Sequence, residues 1–115
     1  MATQADLRNK VLQRLGIKQQ GQSVPAAYGA TISQAYDSLY RSLLARNIAF
    51  WPKDTIEDAV LLWLAILVAY HVKDDFGATL TQTQELSALY QGAENNILAL
   101  KHEPYTHSDE QLVDY

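Results

Sequence analysis

An uninterrupted apolar segment near the middle of the chain constrains the fold more than any other feature. It runs from Ala59 to Tyr70 and is twelve residues long. A membrane-spanning helix needs about 18 or more apolar residues, and charged side chains stand on both sides of this shorter run. We therefore interpret it as a buried helix. A helix that is apolar on every side must be surrounded by other elements, so the sequence predicts a small all-α bundle around a central helix.

The ends of this central helix carry their own signals. Asp54, followed by Glu57 three residues later, predicts a capping box at its start. Gly77 can adopt the left-handed conformation that ends a helix, and Phe76 is placed to fold back on the last turn. We expect the central helix to occupy residues 54–77.

Three amphipathic helices are predicted around the central one, which gives a bundle of about four. The first begins at a Thr3–Asp6 capping box and ends at Gly16. The second runs over residues 25–47. The last begins at a Thr81–Gln84 capping box and continues to about residue 101. Gly92 inside it predicts close helix packing, since glycine otherwise weakens a helix.

Length and charge indicate one folded domain followed by a tail. A chain of 115 residues suits a single core. The absence of cysteine excludes disulfides and thiolate chemistry, and we expect no secretion signal at the N-terminus. The net charge of −4 lies wholly in the last fourteen residues, because basic and acidic groups balance before them. We predict a helical domain over residues 1–101 and an extended C-terminal arm over residues 102–115.

The arm has no sustained period, and its composition predicts ordering only against a partner. Its apolar anchors are Tyr105, Leu112, Val113 and Tyr115, and its acidic groups are Glu103, Asp109, Glu110 and Asp114.

Two other segments are candidate contact surfaces. Phe50 and Trp51 lie in an unusually apolar loop, where they either cap the ends of two helices or contact another subunit. Lys10, Arg14 and Lys18 are spaced by four on one helix face, and Arg8 is also predicted to point outward. That face is either a solvated polar surface or a contact for an acidic partner or phosphate.

Catalytic patterns are weak in this sequence. His71 and Asp75 lie four residues apart, but no second ligand cluster supports a metal site. We find no phosphate loop, nucleophile elbow or zinc-protease motif. We therefore predict a protein that is not an enzyme and that needs no cofactor.

The order of four short motifs resembles the small helical head-tail adaptor, or connector, proteins of tailed bacteriophages. The motifs are Leu15-Gly16 after the first helix, Phe50-Trp51 in the loop, Glu57-Asp58 before the apolar helix and Phe76-Gly77 after it. Together they cover about residues 5–100. The chain lacks a long insertion between helices that some relatives carry.

The resemblance implies a structural virion protein at the neck, assembled in the host cytoplasm. It implies a homo-oligomeric ring, usually a dodecamer, between the portal protein and a tail or stopper protein, with no membrane partner. DNA passes through the ring without sequence-specific binding, and we expect the isolated chain to be monomeric. The implied portal-binding arm residues are Tyr105, Asp109, Glu110, Leu112, Val113, Asp114 and Tyr115. Candidate subunit or tail contacts are Phe50, Trp51, Lys10, Arg14 and Lys18.

Two alternatives remain open. The chain could be a small DNA-binding or regulatory protein that uses its basic helix face, which would show as a steep loss of DNA affinity with salt. Less favoured is a tail-associated lytic enzyme, for which the sequence offers no convincing carboxylate pair.

Overall fold

The computed structural model describes residues 2–17 and 26–102, and four helices account for most of that part of the chain. They are α1 (Gln4–Arg14), α2 (Ala26–Ala45), α3 (Asp58–Val72) and α4 (Leu80–His102). Helix α3 contacts each of the other three, and α1 also contacts α2. The prediction of a small all-α bundle organised around the apolar helix is confirmed. Lys18 and arm residues 103–115 lie outside the described residues.

Helix α1 begins where its capping box predicts. The Asp6 backbone N–H donates to the Thr3 hydroxyl at 3.3 Å, and the Thr3 N–H donates to the Asp6 carboxylate at 3.0 Å. These two bonds satisfy donors that the first turn of a helix cannot pair. Gly16 then turns the chain with a φ of 74°. The side chains buried along α1 are Leu7, Val11 and Leu12.

The predicted capping box at Asp54 and Glu57 is wrong. Helix α3 begins at Asp58, and its N-cap, Glu57, makes no side-chain capping bond. The reason lies elsewhere in the chain. Ile56 and Ala2 exchange two backbone hydrogen bonds of 2.8 Å in an isolated antiparallel bridge, which needs extended rather than helical backbone at Ile56. The Asp54 carboxylate instead accepts a hydrogen bond from the Gln4 amide.

Helix α3 ends at Val72, earlier than predicted, but the termination signal at Gly77 is real. Gly77 has a φ of 66°. The Ala78 N–H donates to the Lys73 carbonyl at 3.0 Å, and the Gly77 N–H donates to the Asp74 carbonyl at 3.3 Å. These are the two bonds of a Schellman motif.

The Phe76 ring packs against α2. It meets that of Tyr28 edge to face, with centroids 4.9 Å apart. This contact fastens the α3–α4 turn to the beginning of α2.

The predicted Thr81–Gln84 capping box is wrong, because the box of α4 lies two residues earlier, at Thr79 and Gln82. The Gln82 N–H donates to the Thr79 hydroxyl at 3.1 Å, and the Thr79 N–H donates to the Gln82 side-chain oxygen at 2.9 Å. The Gln82 amide nitrogen also reaches the Leu15 carbonyl at 3.0 Å. Gln82 therefore caps α4 and links its start to the end of α1.

The core is continuous but does not enclose α3 fully. Residues 64–69 of α3 are all buried, whereas Leu62, inside the same apolar run, is 51% exposed. Leu61 and Trp63 are half-buried. Three neighbouring helices thus cover the second half of α3 and leave part of its first two turns uncovered.

The close packing predicted at Gly92 is wrong. Gly92 is exposed, and a Cβ built on it would have no neighbouring atom within 4 Å. We expect Gly92→Ala to raise the free energy of unfolding by about 0.5–1 kcal/mol, because alanine restricts the unfolded chain and favours the helix. Urea unfolding followed by circular dichroism measures this change.

Gly77→Ala is the matched control for that substitution. It also has open space around it, but its positive φ disfavours a side chain. We expect it to lower the free energy of unfolding by about 1 kcal/mol. Equal effects at the two positions would contradict the assignment of Gly77 as the left-handed terminator.

Candidate functional site

A shallow surface between α1 and α3 combines positive charge with exposed apolar area. Lys10, Gln13 and Arg14 line a groove of about 220 Å³ with Leu62 and Ala65. Lys10 and Arg14 are exposed, and Ala65 forms a buried floor. We call this groove the α1–α3 face.

A neighbouring groove of about 280 Å³ shares Lys10 and Gln13 and includes Leu61 and Asp6. The Asp6 carboxylate is already engaged by the Thr3 N–H and hydroxyl. The grooved surface therefore continues along α1 beyond the α1–α3 face.

The structure places only part of the predicted basic helix face on one surface. Lys10 and Arg14 share the α1–α3 face, as their spacing of four requires. Arg8 does not point outward as predicted, since it is half-buried against α2 and donates to the Ser33 hydroxyl at 3.3 Å. The α1–α3 face therefore has two described cations.

Trp51 lies in the core, where it is only 2% exposed. Its indole N–H donates to the Tyr36 hydroxyl at 3.2 Å, and that hydroxyl donates to the Lys53 carbonyl at 2.7 Å. The Tyr40 hydroxyl donates to the Trp51 carbonyl. The loop after α2 is thus held by hydrogen bonds as well as by ring packing.

These contacts favour the capping interpretation over the subunit-contact interpretation for Trp51. Its ring has no surface to offer a partner in this conformation. Phe50 remains half-buried, edge-on to the Trp51 ring with centroids 5.3 Å apart. Uncovered apolar surface lies instead at several leucines, and Leu62 is the one inside the apolar run of α3.

A second polar cluster joins α2, α3 and α4. The Arg46 guanidinium donates two hydrogen bonds, of 2.9 and 3.0 Å, to the Glu94 carboxylate. His71 and Tyr90 lie beside this ion pair, with the imidazole Nε2 2.9 Å from the Tyr90 hydroxyl. A cleft of about 320 Å³ lies here, lined by Arg46, His71 and Tyr90 together with Ser42 and neighbouring α2 residues.

The protonation states in this cleft follow from burial. Burial lowers the pKa of His71, and the Lys73 cation adds to this effect. Burial raises the pKa of Tyr90, and the Glu94 carboxylate reinforces the shift. The imidazole and the phenol are therefore both favoured in their neutral forms, as partners in one hydrogen bond.

Sequence reasoning missed the Arg46–Glu94 pair, although a signal was present. Glu94 directly follows Ala93 and precedes Ile97 by three residues, which places a carboxylate at the edge of the apolar stripe of α4. A buried charge there needs a partner of opposite sign. The sequence could not show that the partner would be Arg46, because the two lie 48 residues apart.

Within residues 2–17 and 26–102, no group of three or more metal-ligating side chains comes together. In the same ranges, no helix has the length and apolarity needed to cross a membrane.

Comparison of the chain with protein-family models, with curated proteins and with solved structures gives no match.

The Tyr36 hydroxyl predicts a loss of stability at high pH. Burial raises the pKa of Tyr36 from 10.0 to about 12. In the unfolded chain the phenol ionises near its ordinary pKa, so the folded form holds more protons between about pH 10 and 12. The stability linked to Tyr36 is complete below about pH 10 and lost as the pH rises to 12, by roughly 2–3 kcal/mol.

Tyrosinate absorbance during an alkaline titration measures this, with Tyr36→Phe as the comparison. We expect the wild-type chain to contain a late-titrating phenol that the variant lacks. Identical titration curves for the two proteins would contradict the buried role of Tyr36.

Unequal burial of the two partners predicts that replacing Arg46 lowers stability more than replacing Glu94. The Glu94 side chain is 8% exposed, whereas that of Arg46 is 47% exposed. Arg46→Met leaves a buried carboxylate unpaired and should cost about 2–3 kcal/mol of unfolding free energy. Glu94→Gln leaves an arginine that can reach water and should cost about 1 kcal/mol. Chemical unfolding of both variants and of the double variant measures the difference, and equal costs would show that Glu94 reaches solvent.

Proposed function

We propose that this protein is a structural head-tail adaptor of a tailed bacteriophage, with no enzymatic role. The order of motifs in the sequence resembles that family, and the α1–α3 face is the structural observation that supports a binding function. In this proposal Leu62, half-exposed in the middle of an otherwise apolar core helix, supplies the apolar area of the contact.

The composition of the α1–α3 face fits a contact between subunits. Leu62 offers apolar area, while Lys10 and Arg14 at its edge can select an acidic partner surface. In the proposed ring this face meets the adjacent subunit or the tail protein below. Phe50, which is half-buried, can extend such a contact, whereas Trp51 supports the loop from inside.

The C-terminal arm is assigned to the portal in this proposal. Its residues 103–115 carry four acidic groups and no lysine or arginine. Apolar anchors flanked by carboxylates suit a basic groove on a partner protein.

The near-neutral body suits a DNA conduit at the virion neck. Residues 1–101 have no net charge, so a ring of such bodies would not hold the phosphate backbone strongly. A strongly basic lumen would slow the passage of DNA because each neutralised phosphate adds to affinity.

The test is decoration of portal rings purified from the same phage, followed by pull-down and negative-stain microscopy. The wild-type chain should form a ring on the portal. Leu62→Glu should weaken ring formation at least about tenfold, because it places a charge at the centre of the contact. Leu80→Glu is the matched control, since Leu80 is 73% exposed outside the α1–α3 face.

A chain ending at His102 tests the arm separately. It should remain helical by circular dichroism, because the packing of the four helices lies before that point, and it should fail to bind the portal. Absence of portal binding by the wild-type chain would overturn the proposal. Equal loss of ring formation in Leu62→Glu and Leu80→Glu would show that the α1–α3 face is not the subunit contact.

A further inference from the structure

We infer that, in the free chain, the acidic C-terminal arm occupies the α1–α3 face of its own body. The inference concerns the protein without any partner, and it goes beyond the adaptor proposal. Charge, apolar pattern and chain length each support it.

Charge complementarity is the first argument. The Leu62 groove is lined by Lys10 and Arg14, and no acidic side chain among the described residues lines it. Residues 103–115 have only acidic formal charges. The Leu62 groove therefore offers the arm two cations beside apolar area.

The apolar pattern of the arm matches the same groove. Leu112 and Val113 are preceded by Asp109 and Glu110 and followed by Asp114. The groove combines the apolar residues Leu62 and Ala65 with two cations. Leu112 and Val113 would cover the exposed part of Leu62 while the carboxylates on either side pair with Lys10 and Arg14. Such a contact removes apolar surface from water and places its charges at the rim.

The arm is long enough to reach this position. It leaves α4 after His102, and Lys101 at that end donates a hydrogen bond to the Asn47 carbonyl, so the root lies beside the α2–α3 connection. Leu62 is in the second turn of α3, close to the same connection. Ten residues lead from His102 to Leu112, and fully extended they span ~33 Å, about one and a half times the ~22 Å length of α3.

The absence of cysteine makes a spin-label experiment clean. Ser108→Cys in the full-length chain carries one nitroxide in the arm, and the amide signals of the ¹⁵N-labelled protein are compared before and after its reduction. We expect the Lys10, Arg14 and Leu62 amides to lose most of their intensity while the nitroxide is active. The Arg41 amide on α2 should keep its intensity.

Two variants separate a specific contact from collapse of the arm. Arg14→Glu should restore the Leu62 signal, because it reverses one of the two charges in the groove. Arg41→Glu is its matched control, since Arg41 is also an exposed arginine on a helix, and it should leave the quenching unchanged. Raising the ionic strength to about 1 M, where the Debye length is about 3 Å, should also weaken the quenching.

A mixture of spin-labelled unenriched chain with unlabelled ¹⁵N chain distinguishes the source of the arm. Quenching at Leu62 in the self-labelled chain alone supports the inference. Quenching that appears equally in the mixture would overturn it in favour of a second copy, and uniform or absent quenching would overturn it outright. No portal protein enters this experiment, so its outcome is independent of the adaptor proposal.

Discussion

Burial of the second half of α3 is the interaction on which the rest of the structure depends. Each fully buried branched aliphatic side chain contributes about 1.5–3 kcal/mol, and residues 64–69 present such surface on every side of the helix. No single neighbour can cover it, so α1, α2 and α4 each pack against α3. Each of those three helices carries the apolar stripe that this packing requires.

Polar contacts then place the helix ends and the connections, which apolar burial alone leaves free to slide. Gln82 joins the start of α4 to the end of α1, and the Ala2–Ile56 bridge joins the beginning of the chain to the start of α3. The Tyr36 hydroxyl accepts from Trp51 and donates to the Lys53 carbonyl, so one buried atom holds the loop after α2. These bonds satisfy backbone and indole groups that would be costly to bury unpaired.

The proposed functions follow from where this packing stops. Three neighbours leave Leu62 uncovered, and the residues at that opening include the exposed cations Lys10 and Arg14. Apolar area beside like charges is suited to a partner that is acidic and partly apolar. Under the two proposals, a neighbouring subunit and the chain's own arm would use the same surface.

The sequence by itself determined the number and approximate positions of the helices, the burial of the apolar run, the Thr3–Asp6 cap and the turn at Gly77. These depend on residues only a few positions apart. Tertiary structure alone decided the start of α3 at Asp58, because the partner of Ile56 is Ala2, 54 residues away. It also decided the burial of Trp51, the Arg46–Glu94 pair and the open surroundings of Gly92. In each case the deciding contact, or its absence, depends on how distant segments pack, which the spacing of neighbouring residues cannot predict.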